Sequence, residues 1–348
     1  FFTALALAVI GIIEIYSTTS HTLLAGDYRR QIDWVALGAV LALVFSQFDY
    51  HFIMEHVGAL YLFTLTALLA VLLVAHPVDG ARRWFSIGGL TFQVSEMAKL
   101  VIILIVGVYF SRRKTNPVTL RDLLVLGLLA GVPAGLVMLE PDLGTALTFF
   151  PAIGIGVYLA GIRFRQLALV AMLIVLMAPV GWHFLRPYQR QRLMSFSHPA
   201  EGTRGKGYQV TQSKIAIGSG GFWGKGLGNG TQSRLGFIPV SHADFIFAAF
   251  AEEQGFAGTF AVLLLYFLLL VRLLDGAQLA GDRAGLFFVA GLTSVLFFQV
   301  AVNVAMMIGF MPITGIPLPL MSQGGSSVLF TFIGLGLAMS VRKRRFVN

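Results

Sequence analysis

Most of the chain consists of long apolar runs separated by short polar stretches. A helix needs about 20 apolar residues to cross the hydrocarbon core of a bilayer. Helix is the required form, because unpaired backbone N–H and C=O groups are too costly in lipid. Two runs, 34–48 and 328–341, are short and are expected to extend into their flanks. The ten predicted spans are 1–17, 34–48, 57–75, 92–110, 123–139, 143–162, 167–185, 245–271, 284–310 and 328–341. The pattern predicts an all-α polytopic membrane protein with ten transmembrane helices.

Composition supports lipid as the solvent of this chain. Of its 348 residues, 57% are hydrophobic and 12% are charged, whereas a soluble domain carries about 25% charged residues. The chain has no cysteine, which excludes disulfides, thiolate catalysis and Cys-based metal sites. The net charge of +9 lies in short loops between apolar runs. This placement favours lipid head groups or an anionic substrate as partners over nucleic acid.

Lysine and arginine predict the orientation of the spans. The tail 342–345 is entirely basic, and most basic residues of the short loops fall on the same side when the spans alternate. Both termini are therefore expected in the cytoplasm, within one transmembrane domain covering 1–348. A large loop, 186–243, lies between helices 7 and 8 and is predicted to be extracytoplasmic. It carries eight Lys and Arg against one acid, Glu201, which favours anionic head groups and leaves a phosphate-bearing substrate as the sharper alternative.

The large loop is rich in glycine between residues 205 and 236. Consecutive backbone N–H groups in such turns can bind anions. The stretch has neither a Walker A pattern nor a G-x-G-x-x-G pattern, so a nucleotide donor is not supported. A flexible extracellular loop is the simpler interpretation of this motif alone.

Three acidic residues stand at or inside the eighth predicted span. Asp244 precedes the apolar helix, so it is either an N-cap or a functional carboxylate at the water–lipid boundary. Glu252 and Glu253 lie two turns further on, within apolar sequence. Ionised groups at that depth mark a site or a partner charge, unless the helix end still contacts water.

A second cluster of charged residues surrounds the start of the fourth span. Arg82, Arg83 and Trp84 precede Glu96 and Lys99, which share one helix face because they are three residues apart. One interpretation is an intrahelical ion pair with an interfacial tryptophan anchor. The other is a cationic group that holds a substrate phosphate.

Two turn-forming segments complete the set of polar outer features. Asp142 lies in the turn before the sixth span, where capping is the simpler interpretation. The segment 309–327 contains four Gly and three Pro, so no regular helix can run through it. Such backbone survives at membrane depth only when it is buried in protein or lines a cavity. We therefore predict a broken or re-entrant segment beside a binding site. The alternating spans put all these features on the outer side, which indicates one extracytoplasmic site.

Several of these segments together resemble the SEDS family (RodA, FtsW and SpoVE), most closely its RodA members. The matching motifs are Asn303 with 309–320 and 322–327, Arg82-Arg83-Trp84, Gln93-x-Ser95-Glu96-x-x-Lys99, 141–144, 214–221, 230–232 and His242-x-Asp244-Phe245. Val240 and Ala243 stand where the family has Glu and Thr, Val94 where it has Pro, and Glu140 where it has Gln.

The resemblance implies a peptidoglycan glycosyltransferase that polymerises lipid II during cell elongation and shape maintenance, in the bacterial cytoplasmic (inner) membrane. It implies a class B penicillin-binding protein as partner, together with other membrane proteins of the elongation complex. Asp244 corresponds to the family's essential aspartate. The substrate-binding residues that the matching motifs suggest are Arg82, Arg83, Trp84, Glu96, Lys99, Asp142, Lys214, His242, Ser322 and Ser326.

A mechanism follows as a hypothesis. Asp244 would deprotonate the acceptor hydroxyl, while cations would stabilise the departing diphosphate. No cofactor is required by this chemistry, although a divalent cation, Mg²⁺ or Mn²⁺, could share the work of the basic residues. The main alternative is a flippase for lipid II or a similar polyprenyl-diphosphate sugar, since broken helices and intramembrane carboxylates also suit transporters. A polymerase or ligase acting on another polyprenyl-linked sugar is a second alternative.

Overall fold

The computed structural model describes residues 1–20, 26–75, 83–87, 90–113, 118–185, 187–197, 206–238 and 242–345. Helices dominate this part of the chain. They are α1 (Phe2–Thr19), α2 (Asp27–Gln47), α3 (Tyr50–Glu55), α4 (Val57–Val74), α5 (Val94–Ser111), α6 (Leu120–Leu139), α7 (Leu143–Leu147), α8 (Phe150–Leu159), α9 (Phe164–Phe184), α10 (Pro187–Ser197), α11 (Lys206–Ser219), α12 (Thr231–Arg234), α13 (Ile246–Gln278), α14 (Arg283–Met307) and α15 (Gly325–Lys343). An antiparallel hairpin of β1 (Trp84–Ile87) and β2 (Leu90–Gln93) precedes α5.

Seven helices of the described residues are long and apolar enough to cross a membrane, namely α1, α4, α5, α6, α13, α14 and α15. The remaining three predicted spans coincide with α2, with the α7–α8 pair and with α9. α2 begins with a charged turn, whereas the apolar stretches of the other two, Leu143–Leu159 and Phe164–Met177, are shorter than those of the seven. Polytopic helical architecture is therefore present as the apolar pattern predicts.

The bundle is arranged around α5, which is buried along nearly its whole length, with α14 and α15 packed beside it. Their apolar residues form the core, in which Phe110, Phe288 and Phe332 are fully buried. The outer helices α4, α6 and α9 instead expose many large apolar side chains. In a bilayer such faces contact lipid tails and need no protein partner.

The predicted span 143–162 is broken into α7 and α8 at Thr148 and Phe149. Pro151 lies in the first turn of α8. A proline has no backbone N–H to give to the preceding turn, but it is well accommodated where a helix starts. The break keeps α7 short and sets the turn at 140–142 beside the other polar segments described below.

Helix α13 is interrupted at Gly255, whose φ of 65° and ψ of −164° suit only glycine. Backbone groups left open by the break bind the glycine-rich segment 220–230. Carbonyls of Glu252 and Glu253 accept from the N–H groups of Lys225 (3.1 Å) and Gly226 (2.9 Å). In the other direction, Phe256 N donates to the carbonyl of Gly221 at 2.9 Å. The glycine-rich stretch of the large loop is thus docked on α13.

Residues 308–324 form no helix, although most of the apolar side chains from 313 to 321 are buried, namely Ile313, Ile316, Leu318, Leu320 and Met321. Polar side chains of neighbouring helices satisfy this backbone, as burial requires. Asn303 Nδ2 donates to the Ile316 carbonyl at 2.8 Å, and Tyr266 Oη donates to the Pro319 carbonyl at 2.6 Å. The segment is therefore an ordered, non-helical part of the protein interior.

Candidate active site

A cavity of about 330 Å³ opens at the end of the bundle where α13 begins. Its size lies within the usual range for small-molecule sites, ~300–1,000 Å³. The walls come from the β hairpin, the start of α5, the α6–α7 turn, α10, the residues before α13 and the segment 308–327. The lining residues are Arg83, Trp84, Thr91, Gln93, Glu96, Pro141, Asp142, Thr145, Arg192, Ala243, Asp244, Thr314, Gly315, Pro317, Gln323, Gly324, Gly325, Ser326 and Ser327.

The backbone that carries Asp244 is held by the non-helical segment and by α14. Asn303 Nδ2 donates to the Asp244 carbonyl at 3.1 Å, and Ser322 Oγ donates to the Ala243 carbonyl at 2.7 Å. Gln323 N donates to the carbonyl of His242 at 3.1 Å. These bonds leave the Asp244 side chain directed at the cavity while they fix its main chain.

Arg192 of α10 faces the Asp244 carboxylate across the cavity. A Cβ placed on Gly315 would lie 3.6 Å from both Arg192 Nη1 and Asp244 Oδ2, so the two groups approach the same point. Arg192 Nη1 also donates to the Thr314 carbonyl at 3.1 Å. Burial raises the pKa of Asp244 above its ordinary value, while Arg192 and Arg83 oppose that rise and Asp142 adds to it. A raised pKa suits a carboxylate that must take up a proton near neutral pH.

Asp142 organises the opposite wall. It caps α7, accepting from Thr145 N at 3.1 Å and from Thr145 Oγ1 at 2.9 Å. Gln93 Nε2 reaches it at 3.0 Å, and Gln93 N donates to Ser326 Oγ at 2.9 Å. One network therefore connects the β hairpin, α7 and the start of α15.

Arg83 connects the β hairpin to the α6–α7 turn. Its Nε donates to the Glu140 carbonyl at 2.9 Å, and its Nη2 donates to the Pro141 carbonyl. The guanidinium also lies 6.0 Å from the ring centroid of Trp84. The Glu140 side chain is buried, and burial, with a smaller contribution from Asp142, raises its pKa to about 8.

Glu96 and Lys99 form a buried ion pair, with 2.7 Å between Oε2 and Nζ. Glu96 lines the cavity, whereas Lys99 lies behind it and faces a smaller void beside Gln299 of α14. The pair therefore supports the cavity floor, and only its acidic member meets the opening.

The fold has known counterparts. A family model described as cell cycle protein, covering FtsW, RodA and SpoVE, matches residues 1–346. The chain belongs to this family.

Similar proteins extend over nearly the whole length of this family member. Peptidoglycan glycosyltransferase MrdB of Escherichia coli strain K12 is 37% identical over 342 residues, which cover 98% of this chain and 92% of the relative. Peptidoglycan glycosyltransferase RodA of Treponema pallidum is 30% identical, covering 99% of this chain and 96% of the relative. A solved structure described as the structural coordination of polymerization and crosslinking by a peptidoglycan synthase complex superposes with a TM-score of 0.86. Its sequence identity is 32%, and the match covers 100% of this chain and 97% of that one.

The structure brings several of the predicted site residues of this FtsW/RodA/SpoVE-family chain into one cavity. Those on its walls are Arg83, Trp84, Glu96, Asp142, Asp244 and Ser326. Arg82 lies outside the described residues. These groups come from segments far apart in sequence. The one property that the sequence analysis gave them in common was a predicted position on the outer side of the membrane.

Four predicted site residues lie off the cavity walls. Lys99 is behind the floor, and Ser322 is turned toward the backbone of 243 and 318. His242 is partly buried outside the opening, where burial lowers its pKa. Lys214 is exposed on α11 and packs against Gly309. In this conformation these residues support or surround the site without lining it.

Arg192 is the principal cavity residue absent from the prediction. It was one of eight basic residues in the loop 186–243, and no pattern distinguished it from the others. Its position depends on α10, which is too polar to register in an apolar pattern. Gln93 was part of a matching motif, but its bonds to Asp142 and Ser326 appear only in three dimensions.

Proposed function

We propose that this protein is a peptidoglycan glycosyltransferase that polymerises lipid II, with Asp244 as general base. The observation that carries the proposal is the convergence of one raised-pKa carboxylate, Asp244, with Arg192 and Arg83 in a single cavity. A base and cations are the groups that transfer from a sugar diphosphate requires.

In the proposed reaction, Asp244 takes the proton of the acceptor's N-acetylglucosamine 4-hydroxyl. The freed oxygen attacks the anomeric carbon of the donor sugar, and the bond from that carbon to the diphosphate breaks. The diphosphate leaves with the bonding electrons, and its charge is stabilised by Arg192 and Arg83 in the partly enclosed cavity. A single displacement inverts the anomeric centre and needs no protein nucleophile.

The remaining cavity residues position these groups. Asp142 holds the α7 wall through Thr145 and Gln93, while Glu96 with Lys99 forms the floor. A divalent cation stays a prediction. No three His, Cys, Asp or Glu side chains in the described part of the chain lie close enough to hold an ion by themselves. Substrate oxygens would have to supply further ligands, and no step is assigned to a metal.

The proposal includes ten membrane-spanning helices and a defined orientation. The cavity would open on the outer face of the bacterial cytoplasmic membrane, with both termini in the cytoplasm. That placement suits a lipid-linked donor, whose sugar lies in water while its polyprenyl chain stays in the bilayer. A class B penicillin-binding protein would cross-link the glycan strands, and other membrane proteins of the elongation complex would accompany the pair. The similarity to a chain of a peptidoglycan synthase complex supports this partner.

Polymer formation from purified lipid II in detergent tests the proposal, with and without a class B penicillin-binding partner. Asp244→Asn should lose activity by about 10²–10⁴-fold, because it removes the base and keeps the shape of the side chain. Asp275→Asn, near the other end of α13, is the matched control and should retain activity. The same assay distinguishes the two candidate functions, because a flippase only moves lipid II across a membrane and would form no polymer in detergent. Wild-type polymer yields from an otherwise folded Asp244→Asn protein would remove Asp244 from the mechanism.

A further inference from the structure

An exposed group of four aromatic rings joins the glycine-rich segment 220–230 to α13. Phe222 and Trp223 lie in the turn that follows α11, and Phe256 begins the part of α13 after its break. The ring centroids of Phe222 and Phe256 are 5.8 Å apart, and Trp223 packs edge-on against Phe222 at 4.9 Å. Phe260 stacks on Phe256 at 6.1 Å. All four side chains are exposed, Trp223 to 79%. These rings form one continuous surface from loop to helix, which we call the aromatic ladder.

The lower end of the aromatic ladder belongs to an apolar stripe along the part of α13 after its break. The stripe consists of exposed residues three or four positions apart, namely Phe256, Phe260, Leu264 and Phe267. That spacing places them on one face of the helix. α13 is long and apolar enough to cross a membrane, and an exposed apolar face of such a helix contacts lipid tails. Phe222 and Trp223 therefore extend a surface that lipid covers.

The turn that carries the two loop aromatics has backbone groups paired as an apolar environment requires. Carbonyls of Gly221 and Phe222 accept from the N–H groups of Phe256 (2.9 Å) and Ala257 (3.0 Å). These N–H groups open the second half of α13, where the break leaves them no partner in the helix. Gly224 N donates to a carbonyl of its own turn at 2.8 Å. A non-helical turn paired in this way can enter the edge of a bilayer at little cost.

The order of side chains along the aromatic ladder matches the boundary of a bilayer. Phenylalanines form the end on α13, and Trp223 is the last ring. Tryptophan is enriched at the level of the head groups, because its indole has both an apolar body and an N–H donor. Charged groups begin directly beyond it, where Lys225 Nζ lies 2.6 Å from Glu252 Oε1. The ladder thus passes from acyl chains to head groups to water.

We propose that the turn 220–224 is embedded in the bilayer leaflet on the side of the Asp244 cavity. Phe222 lies against acyl chains, and Trp223 lies among the head groups. The partner of this surface is the phospholipid bilayer itself. Through its hydrogen bonds to α13, the embedded turn fastens the large loop to the membrane beside the half-helix that follows Asp244. The inference does not depend on the proposed reaction.

Spin-label depth measurement tests the proposal on the chain alone in vesicles of palmitoyl-oleoyl phosphatidylcholine. The chain has no cysteine, so Trp223→Cys, Phe260→Cys and Arg234→Cys each carry one nitroxide at an exposed position. Phe260→Cys is the lipid-facing reference, and Arg234→Cys is the water-facing reference in the same loop. The label at 223 should collide more with molecular oxygen, which concentrates in hydrocarbon, than with a water-soluble nickel chelate. The label at 234 should show the reverse.

The native tryptophan gives an independent measurement, because a nitroxide is itself apolar. In vesicles that contain dibrominated phosphatidylcholine, the quenched share of tryptophan emission should fall from wild type to Trp223→Phe, which keeps an aromatic ring and removes the indole. Trp34→Phe is the matched control. Trp34 is partly buried and packs against Gly325 of α15, so its removal should not lower the quenched share.

Equal quenching by brominated lipid in wild type and Trp223→Phe would overturn the proposal, and it decides the outcome if the two measurements disagree, since it reports the native side chain. A label at 223 as accessible to the nickel chelate as the label at 234 would also count against it. If that label became shielded only after a class B penicillin-binding protein was added, the aromatic ladder would be a protein contact and the lipid proposal would be wrong.

Discussion

Asp244 acquires its chemistry from opposing influences on a single carboxylate. Withdrawal from water disfavours its charged form, whereas the nearby Arg192 and Arg83 favour it. The balance leaves the pKa above the ordinary value for aspartate. A base of this kind must be unprotonated to act, so its pKa sets the acid limb of the activity profile.

The pH dependence of polymerisation should report the influence of Arg192. In Arg192→Gln the carboxylate loses a cation that stabilises its charged form, so the pKa of Asp244 rises further. We expect the acid limb of kcat/KM to move to higher pH by roughly one pH unit, in addition to a lower maximal rate. Arg190→Gln is the control, because Arg190 is on the same helix but binds the carbonyls of Trp182 and His183. If the acid limb of kcat/KM did not move in Arg192→Gln, Arg192 would have no influence on the pKa of Asp244.

Glu140 should destabilise the protein as the pH rises. Its pKa of about 8 lies above the ordinary 4.5 because its side chain is buried. The stabilising contribution of the protonated form is complete below about pH 4.5 and is lost as the pH rises through about 8. Glu140→Gln mimics the protonated acid and does not titrate. Its melting temperature should match wild type near pH 5 and exceed it by a few degrees near pH 8, as measured by thermal unfolding in detergent. A difference that is constant across this range would contradict the assignment.

The common outer side of the polar segments and the resemblance to a known family carried most of the prediction of the site. Local sequence alone allows Asp244 and Asp142 to be simple helix caps, yet both line the cavity, as Glu96 does. Arg192 could not be selected, since it is one of eight basic residues in its loop and no motif distinguishes it. The support given by Ser322 to the backbone before Asp244 was equally hidden, because it depends on a fold of the non-helical segment that local pattern does not determine.

At the scale of elements, the site depends on close packing between α7 and the non-helical segment 308–324. A Cβ added to Gly144 of α7 would lie 2.5 Å from the carbonyl oxygen of Thr314. That same oxygen accepts the hydrogen bond from Arg192. Because Gly144 has no side chain, the Thr314 carbonyl can lie close to α7, where it accepts the hydrogen bond from Arg192.

Gly144→Ala should reduce both stability and polymerisation, because Thr314 must move to admit the methyl group. Overpacking of this kind costs ~1–3 kcal/mol, and displacement of Thr314 would also misplace Arg192. Gly154→Ala in α8 is the matched control, since its added methyl would meet open space. The control should be neutral or stabilising by up to ~1 kcal/mol. Unfolding and lipid II polymerisation measured on both variants check this. Equal behaviour of the two alanine variants would show that the α7 contact is not limiting.

The elements themselves were predictable to different degrees. Apolar runs located most of the long helices within three residues at each end, because burial in lipid demands length and hydrophobicity from every span. The exceptions are α2, which begins seven residues before the predicted span, and α13, which ends seven residues after it. The division of 143–162 was missed even though Pro151 signals a helix start. The β hairpin was missed as well, although Gly88-Gly89 between alternating residues is a typical hairpin sequence. The sequences of α10 and α11 contain no long apolar run, so an analysis based on apolar runs does not predict these two helices.

At the scale of the whole molecule, α13 reaches from the proposed active site to the opposite end of the bundle. The cavity at the start of α13 gathers acids and cations suited to a sugar diphosphate. The break in α13 at Gly255 separates the short half-helix that follows Asp244 from a longer part that is long and apolar enough to cross a membrane. The proposed activity requires the two ends of α13 to face opposite sides of that membrane.

That requirement can be checked directly, because the chain has no cysteine and any introduced thiol is unique. Arg234→Cys places a thiol at an exposed position before α13, and Gln278→Cys places one at the exposed end of the same helix. Treatment of spheroplasts with a membrane-impermeant maleimide should label Arg234→Cys. Gln278→Cys should react only after the membrane is permeabilised, since its end of α13 is predicted to be cytoplasmic. The opposite result would place Asp244 on the cytoplasmic face of the membrane, whereas glycan strands are assembled on the outer face. The catalytic proposal would then fail, while the fold remained unchanged.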